Sequence, residues 1–150
     1  MVEITNIQNY VIKNVLSYKG SVDQYDLPQL RAEIEEAVRT SGAVQCRNVI
    51  TAVQRVSQTK YNVEVIVPLD RKTDDTGRFA FHDELNIGNA LVASYKGSPS
   101  NVQDAYEKIK DYMSDNDLHE STMRYTEPVR VNPADPDDSE IRIFVGVASD

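Results

Sequence analysis

Tyr18-Lys19-Gly20-Ser21 recurs as Tyr95-Lys96-Gly97-Ser98, about half the 150-residue chain later. Four matching residues alone are weak, but each copy is followed by an amphipathic segment. After the first, Leu27, Leu30, Ile34, Ala37 and Val38 fall at helical spacing, with Arg31, Glu33, Glu35, Glu36 and Arg39 between them. Pro28 suits a first helical turn and Gly42 a C-terminal stop. After the second copy, Val102, Ala105, Tyr106, Ile109, Tyr112 and Met113 form the stripe, with Ser98 or Ser100 as N-cap.

Strand-like segments surround each helix. A leading strand is expected at about residues 10–18 and again at 87–95. A pair follows the first helix at about 47–57 and 61–69, joined by the short Gln58-Thr59-Lys60 connection of a hairpin. A second pair lies at about 122–131 and 139–147. Between them, Asn132 to Asp138 is too rich in Pro and Asp for a strand. Each half therefore reads strand, helix, strand, strand. The halves cover about 1–69 and 87–150, with a polar linker at 70–86. The sequence predicts a single α+β domain in which two duplicated units form an antiparallel sheet with two helices on one side.

Alternation assigns the strand faces. Val63, Val65 and Val67 share one face, and so do Ile141, Ile143, Val145 and Val147; these belong against the helices. The opposite faces carry Glu64, Ile66 and Pro68 in one half and Glu140, Arg142 and Phe144 in the other. Glu64 and Glu140 are candidate cleft carboxylates. A sheltered carboxylate among aromatic rings holds a lipophilic cation or acts as a general acid or base. On an open face, solvation is the competing role of such a Glu. Arg142 shares that face and is a counter-charge for either Glu. Tyr18, Tyr95, Tyr125 and Arg130 are further candidates to line the cleft. Phe79 and Phe81, in the linker, suit a lid or an extra edge strand.

Composition removes several classes. Sixteen Lys+Arg against 24 Asp+Glu give a formal net charge of −8, which opposes direct nucleic-acid binding. No apolar run reaches the roughly 20 residues of a membrane span, and no secretory signal is visible. The single cysteine, Cys46, has no partner for an internal disulfide, and a cytoplasmic setting is expected. His82 and His119, the only histidines, lack metal-ligand spacing, and Asp135, Asp137 and Asp138 lack the Gly and closing Glu of a calcium loop. No metal and no cofactor are expected.

The YKG strand end with its helix, YKGSPSNVQDAYEKIKDYM, and the loop with its final strand, NPADPDDSEIRIFVGV, resemble the GyrI-like family. That family comprises effector-binding domains found alone or fused to AraC- and MerR-type regulators. The resemblance runs from about Tyr10 to Val147. It implies a concave ligand pocket, a pocket Glu matching Glu140, and a stand-alone role in binding a small molecule or a protein partner. Some members hydrolyse small genotoxic compounds, with a pocket Glu and aromatic residues carrying the activity. Several positions depart from the family: Phe144 is commonly Pro there, and no Trp is present to wall a pocket. The family's Glu-x-Tyr-x-Asn pattern, counted back from Asn132, meets Pro128-Val129-Arg130-Val131-Asn132, so Pro128 stands in the Glu place and Arg130 in the Tyr place. The expected function is thus a stand-alone effector- or partner-binding domain, monomeric or homodimeric, without a DNA-binding segment. The alternatives are a hydrolase using Glu140 and a protein-interaction or dimerisation domain without ligand.

Overall fold

A glycine two residues after each repeat tyrosine leaves the space into which that tyrosine folds. A methyl group on Gly20 would lie 2.5 Å from the Tyr18 hydroxyl oxygen, and one on Gly97 2.8 Å from that of Tyr95. Each ring thus crosses its own backbone, Tyr95 at the end of its strand and Tyr18 within a strand that runs on to Asp23. Gly97 has in addition a φ of 146°, in the region that side chains rarely adopt. The Tyr95 hydroxyl then donates to the Ser98 carbonyl oxygen at 3.0 Å, closing the turn into the helix.

The structure is a computed structural model and describes residues 2–149. In chain order it contains β1 (Val2–Asp23), α1 (Leu27–Ser41), β2 (Ile50–Arg55), β3 (Lys60–Pro68), β4 (Ala80–Lys96), α2 (Gln103–Asp115), β5 (Leu118–Arg130) and β6 (Glu140–Ser149). Short 3-10 turns at Gln24–Asp26 and Pro99–Asn101 precede the helices. This is a sheet-rich α+β fold. The chain divides into two compact units, Ile12–Leu85 and residues 2–11 with 86–149.

In the unit Ile12–Leu85, β3 pairs antiparallel with β1 on one side and β2 on the other. Leu16, Tyr18 and Val22 of β1 join Val63, Val65 and Val67 of β3 in a core closed by Leu30 and Ala37 of α1. Gly42, at φ 75°, stops α1 as the sequence implies, and Pro28 sits in its first turn. Residues 70–79 lie along α1. The Thr73 hydroxyl donates to the Ser41 carbonyl, and Arg78 pairs with Glu33. The Arg78 guanidinium lies 4.8 Å over the Tyr18 ring, and Phe79 is buried 6.0 Å from the same ring. At the start of this segment, the Arg71 guanidinium and the Val44 N–H hold the Asp70 carboxyl down at about 2. Phe79 is therefore an anchor on the helix side of the sheet.

In the second unit, β6 pairs antiparallel with β4 and β5. Leu91, Ala93 and Tyr95 join Ile141, Ile143, Val145 and Val147, and Ala105, Ile109 and Met113 of α2 close this core. Ser98 caps the 3-10 turn by accepting from Ser100 N–H, so the helix proper starts one turn later than its cap residue suggests. Tyr106 ties α2 to β5. Its hydroxyl donates to Glu120 Oε1 at 2.6 Å, and the Arg124 guanidinium stacks 3.8 Å over its ring. Burial, then the bond to Glu120, pushes its pKa up to about 12.

Several element ends differ from the expected ones: β1 runs on to Asp23, past residue 18, β2 spans only Ile50–Arg55, and β5 starts at Leu118, before residue 122. β1 starts at Val2, well before residue 10. Asn9 and Asn14 take φ of 56° and 53° and bend the strand, a conformation Asn tolerates. β4 starts at Ala80, so residues 80–86 of the polar stretch 70–86 are strand.

Two measurements test this account. Gly97→Ala, facing both the ring and the unfavourable φ, is expected to cost about 2–4 kcal/mol in denaturant unfolding, against about 1–3 kcal/mol for Gly20→Ala. Tyr106 keeps its proton in the folded state at pH values where the unfolded chain has lost it. Its stabilisation is therefore complete below pH 10 and lost as the pH rises towards 12. Tyr106→Phe should flatten this alkaline loss in a series of melting curves.

Candidate functional site

Phe144 is fully buried on β6, on the face opposite α2. Register places Tyr125 of β5 directly across from it and Glu127 across from Arg142. The Tyr125 ring stacks on Phe144 at 5.0 Å and 19°, and Tyr10 of β1 meets it from the other side at 5.1 Å and 44°. Offset and tilted rings at this spacing are favourable beyond the area they bury. Beside this aromatic row, Arg142 Nη1 donates to Glu127 Oε1 at 3.2 Å. The Glu127 side chain is 4% exposed and that of Arg142 33%, so the carboxylate is sheltered and the guanidinium reaches the surface. Ser94 of β4, across from Arg142, donates its hydroxyl hydrogen to Glu140 Oε1 at 3.5 Å. One sheet face thus combines three rings, a charge-paired buried carboxylate, a hydroxyl and a second carboxylate.

The expected site residues separate on this map. Arg142, Phe144 and Tyr125 come together. Glu140 shares their face but lies four residues from Phe144, about 13 Å along the strand. Glu140 and Glu64 hold matching positions, since Lys96 pairs with Glu140 and Lys19 with Glu64. Glu64 is half-buried in the other unit, on a face shared with the buried Ile50, Ala52, Ile66 and Pro68. Tyr18 and Tyr95 point the other way, into the helix-packed cores, because they alternate with Lys19 and Lys96. Arg130 lies opposite Glu140, yet its guanidinium pairs with Asp138 at 2.9 Å in the exposed loop. Cys46 is exposed. Among the described residues, no three of His, Cys, Asp and Glu gather to hold a metal ion.

Two site residues escaped the sequence reading, Tyr10 and Glu127. A register shift between Pro128 and Arg130 makes Val129 an extra residue in β5. The signal available in the sequence was the i, i+2 spacing of Tyr125 and Glu127. Tyr10 is brought in by the long β1, whose polar N-terminal half shows no clear periodicity.

No protein-family model matches the chain, and no curated protein is significantly similar in sequence. Solved structures do match in fold. The EcmrR C-terminal domain aligns over 100% of this chain and 98% of its own, with TM-score 0.69 and 15% identity. This chain spans 58% of the length of EcmrR as seen in its DNA complex. A hydrolase from Listeria innocua aligns over 97% of this chain and 92% of its own, with TM-score 0.65 and 11% identity. SAV2435 bound to tetraphenylphosphonium aligns over 99% and 94%, with TM-score 0.54 and 9% identity. These neighbours are consistent with the GyrI-like resemblance read from the sequence. No helix of the described residues is long and apolar enough to cross a membrane.

Phe144→Ala is expected to cost about 3–5 kcal/mol in chemical denaturation, because two rings lose their shared partner. A double-mutant cycle with Glu127→Gln and Arg142→Met should give a coupling of about 1–2 kcal/mol, towards the lower part of the range for contacting residues because Arg142 is part-exposed.

Proposed function

We propose that this chain is a GyrI-like effector-binding domain whose two units are copies of one strand-helix-strand-strand motif. Its effector is a small molecule with an aromatic body. The ligand meets Arg142, the member of the ion pair that reaches the surface, with Glu127 behind it and the buried rings of Tyr125 and Phe144 supporting it from beneath. The observation that carries this reading is the aromatic row beside a sheltered ion pair. A buried charge pair costs desolvation that an apolar pair would avoid, so its presence beside stacked rings favours recognition over packing alone. The bound tetraphenylphosphonium of SAV2435, a protein of like fold, supports a ligand of aromatic character. The net charge of −8 supports a role through a small molecule or partner protein, with no direct contact to nucleic acid.

The reading is tested by thermal shift with lipophilic cations, uncharged aromatics and anionic metabolites. Wild type is compared with Phe144→Leu, Glu140→Gln and Glu64→Gln. A ligand at a hundredfold excess over its Kd stabilises by about 2.7 kcal/mol, a rise on the order of 5–10 °C. The expected result is a rise with at least one class, weakened in Phe144→Leu and retained in Glu64→Gln. No rise with any class overturns the reading in favour of a protein-interaction domain. Ligand turnover that disappears only in Glu140→Gln overturns it in favour of a hydrolase.

A further inference from the structure

Residues 70–79 run along α1 without closing against it throughout. Between residues 76–79 and the α1 face that carries Glu33, Glu36, Ala37 and Thr40 lies a cavity of about 290 Å³. A methyl group on Gly77 would meet nothing within 4 Å, so the backbone there borders open space. We infer that this cavity is a binding site for an uncharged single-ring molecule that carries a hydroxyl group. It shares no residue with the face around Arg142. Three observations carry the inference. The first is room. The volume lies just below the roughly 300 Å³ at which ligand pockets begin, which suits a single ring. Ala37 and Phe79, both members of the buried core, give the cavity an apolar base. The second is charge. Glu33 accepts from Arg78 Nε at 3.1 Å, and the Arg78 guanidinium also lies 4.8 Å over the Tyr18 ring. Glu36 Oε2 pairs with Arg39 at 2.9 Å. Two carboxylates are thus matched by two guanidinium groups. An ion that enters gives up water against the apolar base, and a balanced rim does not offset that loss. An uncharged molecule avoids it. The third is a polar handle. Glu36 Oε1 accepts from the Thr40 hydroxyl at 3.4 Å, near the limit for such a bond. A carboxylate oxygen has lone pairs for a second donor, and an O–H to O⁻ bond is among the stronger kinds. A ligand hydroxyl takes that place and leaves its ring towards Phe79.

The test uses probes of similar size: p-cresol, uncharged with a hydroxyl; anisole, uncharged without one; benzylamine, a cation; and benzoate, an anion. Each is titrated into isotope-labelled wild type at pH 7 and followed by backbone amide shifts. With p-cresol, saturable shifts should cluster at residues 33–40 and 76–79. Its binding should be at least about tenfold tighter than that of anisole, the worth of one hydrogen bond to a charged group. It should exceed that of benzylamine and benzoate as well. Thr40→Trp, at an exposed helix position, fills the cavity mouth and should abolish binding. Glu36→Ala should reduce p-cresol to the level of anisole, and Phe144→Leu should leave it unchanged. Circular dichroism checks each variant, and the wild-type shift map locates the site if Thr40→Trp does not fold. Benzylamine or benzoate binding as tightly as p-cresol overturns the ligand class. Shifts that cluster elsewhere, or p-cresol binding that survives in folded Thr40→Trp, overturn the site. Absence of saturable binding with every probe overturns site and class together.

Discussion

The constraint on which the rest depends is steric. Tyr18 and Tyr95 each lie across the backbone of a glycine two residues later, where a side chain would stand. This places a large ring under the helix that follows each strand; β4 then ends at Lys96, whereas β1 runs on to Asp23. Lys19 and Lys96, between tyrosine and glycine, must then point to the opposite face. Because Lys19 pairs with Glu64 and Lys96 with Glu140, the same constraint sets which side of β3 and β6 faces the helix. Val65 and Ile143 turn inward for that reason, and Arg142 and Phe144 turn away from α2.

The face that Arg142 and Phe144 occupy is built by two irregularities in β5. Near its start, residues 121–123 bulge across from Gly146, whose N–H donates to the Thr122 hydroxyl at 2.8 Å. Near its end, Val129 is the extra residue. Between the bulges the strand keeps strict register, and in that stretch Tyr125 meets Phe144 and Glu127 meets Arg142. A bulge adds twist and re-aims side chains, and here a pair of them frames the two contacts that define the site. The buried ion pair is expensive unless its geometry is good, so it needs a strand segment that does not slip.

Much of this architecture is legible in the residues. The repeated YKG marks the end of β4, whereas β1 runs on past it to Asp23; Gly42 and Pro28 mark the limits of α1, and the alternation of Ile141, Ile143 and Val145 assigns the helix face of β6 correctly. What could not be read has physical causes. Residues 2–9 mix polar and apolar side chains without period because the strand bends at Asn9, which breaks alternation. Glu127 hides because two irregularities in β5 interrupt the alternation that would assign its face, leaving only its i, i+2 spacing from Tyr125. Tyr18 and Tyr95 look like cleft residues when only strand ends are considered. The glycine that accommodates each ring sends it into the core.

The division into units also bears on how the chain is made. One unit is contiguous, Ile12–Leu85, whereas the other joins residues 2–11 to 86–149. During synthesis the first has all of its strands long before β6 exists. The N-terminal part of β1, carrying Val2, Ile4, Ile7 and Tyr10, is made before the rest of its unit, residues 86–149. A strand edge not yet covered is a template for pairing with other chains. Its interspersed Glu3, Asn6, Gln8 and Asn9 lower its β-propensity and hydrophobicity, and so act as gatekeepers for a segment that is made well before the rest of its unit.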